Sequence, residues 1–333
     1  MKEGFIQLGR RSSSGKGRFT RKEFALSLLV VNNAPPLVTL ENLSRLRDVC
    51  ESLHNDAEVL IIANDKAAAG YEQLIHAFPE VRLLIPVVEH SFRQCLWLGM
   101  QEAQGQLVMV LDPGCYINTI DFDTVFRAFT NASLFAMGFS LRTPEGNEID
   151  SIIKAFPERG YLRLLAARRE YAAKSFFLRD FLGIYHREKM MLLQNVERHL
   201  HGVWAAADFF LGAWTRGWQT IVDPANEVLY SYQPESLIAA GGVCSRIRFY
   251  RNEIGFLRRN FIDTESRRFR RRYLVKTAWA ALRRFDVAPG CALFIEFARK
   301  FLPGRRVPLR YEAVLSPLEV FQKLMETERI EEE

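Results

Sequence analysis

Four apolar stretches in the first 111 residues constrain this chain more than any other feature: FALSLLVVNN from Phe24, AEVLIIAND from Ala57, VRLLIPV from Val81 and QLVMVLDPG from Gln106. None alternates apolar with polar residues. A strand with one wet face does alternate, so these runs read as strands covered on both faces. Helical patterns separate them. LVTLENLSRLRDVCESLH places Leu40, Leu43, Leu46 and Val49 on one helix face, AGYEQLIHAF is a shorter helix, and SFRQCLWLGMQEAQG is a third, with Gly105 expected as its cap. Strands alternating with helices predict an α/β fold, a doubly wound and mostly parallel sheet. In such sheets ligands bind at the carboxyl ends of the strands. The fourth run delivers Asp112 to that edge and breaks at Pro113-Gly114.

The pattern then loosens. DFDTVFRAFTNA reads as a helix, and Asp or Thr before its apolar run is an N-cap signature, so its Asp-Phe-Asp reads as a helix start and not a metal motif. SLFAMGFSLRT reads as a strand, WAAADFFLGAWTRGW as a helix ending at Gly217, and QTIVDPANEVLYSYQ as short strands. Residues 150–200 give no clear parse. From Ser245 the chain is helical and arginine-rich.

Charge is uneven. The net charge is +6, but residues 246–310 carry 16 Arg and 2 Lys against five acids, a net +13. The remainder from Tyr311 carries seven Glu against Lys323 and Arg329. Ile247, Tyr250, Ile254, Leu257 and Phe261 form one apolar helix face within the basic segment, so packing accounts for that face. The later arginines, up to residue 284, are the better match for an anionic membrane surface. Nucleic acid is the weaker polyanion, because no RNP, KH, zinc-finger or helix-turn-helix pattern accompanies them.

Five scattered cysteines without a C-x-x-C pair exclude a zinc ribbon and a disulfide framework, and predict a reducing, cytoplasmic setting. No run approaches the ~20 apolar residues of a spanning helix. The first 23 residues have no apolar signal core and are expected to be a flexible basic lead-in. SSSGKG there lacks the preceding strand and full spacing of a P-loop.

The order of pieces resembles family 2 glycosyltransferases, whose fold is called GT-A. AEVLIIANDKA is similar to the family's second strand. EHSFRQCLWLGMQEAQGQLVMVLDPG is similar to its long run ending in L-D-x-D, with Phe92, Gly99, Ala103, Gly105, Leu111 and Asp112 in register. AADFFLGAWTRGWQTIVDPANEVLY is similar to its E-D-x-D region and following strand, and RIRFYRNEIGFLRRNF to the Arg-rich helix beyond. The resemblance implies sugar transfer from a nucleotide-sugar to a glycan or lipid-linked acceptor, with Mg²⁺ or Mn²⁺ held at the D-x-D. It also implies a glycosyltransferase domain over 24–240, an Arg-rich helical extension over 241–310 and an acidic tail over 311–333.

Each motif departs from the family. Ala63 stands where an Asp grips the nucleoside, followed by Asn64 and Asp65 as replacement candidates. Asp112-Pro113-Gly114 keeps one acid of the D-x-D, leaving Asp112 as the metal and diphosphate ligand. Ala205-Ala206 replace the E-D pair, so Asp208 is the remaining candidate base, and Tyr230 stands where some members carry His. Against these stand plainer readings: Asp112 as a turn residue, Asp208 as a structural helix Asp, Asp65 as a loop residue. His199 and His201 lack an acid at metal spacing. A lost base costs about 10²- to 10⁴-fold. Two functions therefore stay open: an active transferase, peripheral at the inner membrane face, or an inactive relative that binds a glycan, nucleotide or protein.

Overall fold

A computed structural model describes residues 5–8, 24–32, 36–54, 56–63, 75–87, 90–158, 161–193, 202–230, 243–262, 264–284, 287–299 and 314–332. The four apolar runs become β2 (Phe24–Asn32), β3 (Ala57–Ala63), β4 (Arg82–Pro86) and β5 (Gly105–Leu111). They pair in parallel in the spatial order β4-β3-β2-β5. Leu28, Leu29, Leu60, Ile61, Val108 and Met109 are all fully buried, on both faces of the sheet. Helix α1 (Pro36–Ser52) buries Leu43 and Leu46, and α2 (Phe92–Glu102) buries Cys95, Leu96, Gly99 and Met100. A capping box starts α2, in which Ser91 accepts from the Gln94 amide and the Gln94 side chain from the Ser91 amide.

Two expectations change here. The span read as a flexible lead-in contributes β1 (Phe5–Leu8), which pairs antiparallel with β4 at the sheet edge. Gly105 does not cap α2, which ends earlier, at Ala103. It opens β5, where an added Cβ would lie 2.5 Å from the Ser27 nitrogen and 2.7 Å from the Leu26 carbonyl carbon. Glycine is needed there for strand approach. Gly99 packs against the Leu29 side chain.

The amino edge of the parallel strands is stitched by polar groups. Ser27 Oγ donates to Glu58 Oε1 at 2.7 Å, and the Gly105 amide donates to Ser27 Oγ at 2.8 Å. Arg82 Nη1 reaches Glu58 Oε2 at 2.9 Å, and its Nη2 reaches Glu102 Oε2 at 3.3 Å. The buried acid is thus paired, as burial demands.

The sheet continues as β5-β12-β7-β13-β11. In chain order the elements are β6 (Cys115–Thr119), α3 (Phe122–Phe129), β7 (Leu134–Arg142), β8 (Glu148–Ile149), and the hairpin of β9 (Ile152–Glu158) and β10 (Tyr161–Ala167). Then come β11 (Ala173–Lys174), a 3-10 turn (Arg179–Phe181), β12 (Gly183–His186), α4 (Arg187–Leu192), α5 (Val203–Trp214) and β13 (Gln219–Tyr230). The helix start read from the sequence is capped by Asp121, which accepts from the Thr124 amide and hydroxyl. β13 is one twelve-residue strand, not several short ones. A register shift between Asp223 and Glu227 absorbs Pro224, which cannot donate to a ladder.

The basic extension is α6 (Val243–Asn260), α7 (Thr264–Arg284) and α8 (Val287–Arg299), and the acidic end carries α9 (Pro317–Glu332). Ile254, Leu257 and Phe261 are buried, so the apolar face read from the sequence packs inward. Phe321 of α9 is fully buried, with its ring 5.2 Å from Phe176 and 6.1 Å from Phe261. The extension and the end of the chain therefore share the core of the sheet domain.

Candidate functional site

β3 and β5 flank β2 on opposite sides, so the chain reverses its winding beside β2. The carboxyl edge at that reversal is where doubly wound sheets open a crevice. Asp112 follows β5 at this edge. Gly114 N donates to Asp112 Oδ1 at 2.8 Å, and Cys115 N to the Asp112 carbonyl at 2.9 Å. The carboxylate thus closes its own Pro-Gly turn, and the turn reading and the rim position hold together. Burial pushes its pKa up, opposed in part by the Gly114 amide.

A second carboxylate joins it. β12 runs antiparallel to β5 with Gly183 opposite Val110. The residues before Gly183 therefore extend past Leu111, and they are Arg179, Asp180 and Phe181. Asp180 raises the pKa of the buried Cys115 thiol, as Asp112 does, after the larger effect of burial. Tyr230, opposite Cys115 in the β13–β6 ladder, is raised by burial first, then by Asp180, Asp112 and Cys115, and hydrogen-bonds Asp180. Asp112, Asp180, Cys115 and Tyr230 therefore meet at one end of the sheet. Arg179 adjoins them, its pKa lowered by burial and held up by Asp180, Asp150 and Tyr230.

Asp180 and Phe181 both have left-handed backbones, with φ of 50° and 60°. Such angles in non-glycine residues cost ~1–3 kcal/mol each and persist only where the surroundings enforce them. Here the Phe181 ring lies 6.3 Å from Phe92, 5.6 Å from Phe209 and 6.0 Å from Phe210. Tyr185 Oη donates to the Phe181 carbonyl at 2.9 Å. An aromatic cluster of α2 and α5 thus fixes the turn that presents Asp180.

Helix α5 is buried on every side, from Trp204 to Trp214. Ala205 and Ala206 lie within this apolar packing. The Asp208 side chain is 2% exposed and faces the extension: Asn260 Nδ2 donates to its Oδ1 at 2.7 Å, and Arg259 Nε lies 3.6 Å from the same atom. It has the surroundings of a tie between α5 and α6. Asp112 and Asp180 both act on Cys115 and Tyr230, whereas Asp208 is bonded to Asn260 of the extension. Ala63 ends β3 fully buried. Asn64, Asp65, His199 and His201 lie outside the described residues.

Asp180 escaped the sequence reading, although a signal was present. Arg179-Asp180 interrupts the otherwise apolar FFLRDFLGIY, and a charged pair inside such a run is the informative anomaly. Among the described residues no group of three or more His, Cys, Asp or Glu could hold a metal ion. A separate hollow of about 210 Å³ lies between α1 and β3, lined by Leu43, Arg47, Cys50 and Val59, away from this rim.

No family model matches the chain, and no curated protein does. Solved structures do. The crystal structure of GalNAc-T7 with UDP, GalNAc and Mn²⁺ aligns with a TM-score of 0.50 at 13% identity, over 69% of this chain and 48% of that one. This chain thus spans about half the length of that protein. The mannosyltransferase PcManGT from Pyrobaculum calidifontis, in complex with GDP-Man and Mn²⁺, aligns at 0.48 and 13% identity, over 92% and 80% of the two chains. S. aureus TarS aligns at 0.46 and 12%, over 77% and 44%. The fold is the GT-A-like α/β architecture expected from the sequence, with a mostly parallel central sheet.

Proposed function

We propose that the carboxyl rim at Asp112 and Asp180 binds the diphosphate of a nucleotide-sugar, and that the chain transfers its sugar to a glycan or lipid-linked acceptor. The observation that supports this is that β12 carries Asp180, in a left-handed backbone, past the end of β5, the strand that leads to Asp112, and that Tyr230 hydrogen-bonds Asp180. Asn64 and Asp65, next in sequence after β3, are assigned to the nucleoside.

The rim fits Mg²⁺ or Mn²⁺. Such a hard cation takes one or two carboxylates and completes its shell with substrate phosphates and water. Burial disfavours a bare negative charge on Asp112, which a bound cation would offset. Asp112 and Asp180 would hold it, and when bound it would neutralise charge on the leaving diphosphate. Tyr230 orients Asp180 through their hydrogen bond, and the Phe181 cluster keeps water from the turn behind it.

A second reading is binding without turnover. The observation that favours it is the apolar burial of Ala205 and Ala206 together with the engagement of Asp208 by Arg259 and Asn260. The same experiment separates the two. Calorimetric titration of UDP- and GDP-sugars with Mn²⁺ should show binding that Asp112→Asn and Asp180→Asn each weaken by about tenfold or more. Sugar release alongside binding supports transfer, and binding alone supports the inactive relative. Absence of binding across the panel removes transfer and nucleotide binding alike. No helix among the described residues is long and apolar enough to cross a membrane.

A further inference from the structure

Helix α7 has two faces of opposite use. Ser266, Tyr273, Thr277 and Ala281 are buried, and they share one side of the helix. The opposite side carries Val275, Trp279 and Leu282, which are 69%, 64% and 71% exposed. At 3.6 residues per turn these three fall within about 60° of arc and form a ridge roughly 10 Å long. Arg267 and Arg271 run along one flank of that ridge, and Arg272, Lys276 and Arg283 along the other, all of them exposed. The one acid of α7, Glu265, sits in its first turn. The arginines crowd one another: Arg270, partly buried, is lowered by burial and then by Arg258, Arg267 and Arg271.

We infer that the outer face of α7 docks this protein on an anionic lipid surface, with Val275, Trp279 and Leu282 entering the headgroup boundary and the flanking basic residues binding lipid phosphates. Charge complementarity selects the occupant. An apolar ridge between two basic rows matches a surface that is negative outside and hydrocarbon beneath. Tryptophan favours that boundary, having an apolar ring and a polar N–H. A nucleic acid would use the arginines and Trp279, but Val275 and Leu282 give it no stacking partner. The inference stands on α7 alone and does not depend on the sugar-handling site, so each can fail without the other.

The test is co-sedimentation of the full chain with vesicles of phosphatidylcholine alone or with about 30% phosphatidylserine. Binding should require phosphatidylserine and fall about tenfold or more in ~0.5 M salt, where screening is short-ranged. The double variant Val275→Ser/Trp279→Ser keeps every charge, and Arg271→Gln/Arg272→Gln keeps the ridge. Each should lose about tenfold or more in binding while its unfolding midpoint stays at the wild-type value, since all four side chains are exposed. Equal pelleting with neutral vesicles, no pelleting at all, or full binding by the serine variant overturns the inference. So does tight binding to single-stranded RNA or DNA in place of vesicles.

Discussion

Asp208 offers the sharpest test of how this site is built. Its carboxylate and the Arg259 guanidinium are 2% and 12% exposed and 3.6 Å apart. At an effective dielectric near 20, that separation is worth ~4–5 kcal/mol before desolvation is charged against it. Removing one member of a buried pair costs ~3–5 kcal/mol, because the other is left uncompensated. Asp208→Ala should therefore destabilise the chain by about that amount, also stranding the Asn260 amide that donates at 2.7 Å. With an unfolding entropy of ~2.1 cal/mol/K per residue, this lowers Tm by about 4–7 °C. Asp208→Asn keeps an acceptor for Asn260 and loses only the charge, so its cost should be about half. Adding Arg259→Met to the alanine variant should recover part of the loss, since no unpaired cation then remains. Differential scanning calorimetry of the four proteins measures all of this. If Asp208→Ala melts with the wild type while sugar turnover falls about 10²- to 10⁴-fold, Asp208 is a general base and the tie is a misreading.

Two further outcomes follow from buried groups. Glu253 of α6 is buried and hydrogen-bonded to Tyr273, and burial pushes its pKa up to about 8. Its folded pKa exceeds its unfolded one, so its contribution is fully present below about pH 4.5 and is lost as pH rises towards 8, at ~1.4 kcal/mol per unit. Urea unfolding across that range should show the slope, Glu253→Gln should flatten it, and an identical slope in both proteins would sink the assignment. Gly105→Ala drives a Cβ into the backbone of β2 and should cost about 3 kcal/mol; a variant within 1 kcal/mol of wild type would contradict the close approach.

The parallel half was legible because its signal is local and repeated. Largely apolar, non-alternating strands of five to nine residues, set between helices, admit few other arrangements. Asp112 was legible for the same reason, standing at the end of such a run. The second half hid its strands in shortness. β12 has four residues and β11 two, below the length at which periodicity carries information. That concealment reached the site itself, because Asp180 is placed by the pairing of β12 with β5. Asp208 carried two readings in the sequence, a remaining base and a structural helix residue, and the contacts with Arg259 and Asn260 favour the second.

The polar stitch of Ser27, Glu58, Arg82 and Glu102 bears on how such a protein changes over generations. It fastens the parallel strands at the margin farthest from Asp112, together with the glycine that lets two of them touch. Folding therefore leans on one border of the sheet, and the proposed ligand site lies at the other. Substitutions along the border that carries Asp112 would leave these bonds untouched. A lineage can thus discard or rebuild its chemistry while keeping its architecture.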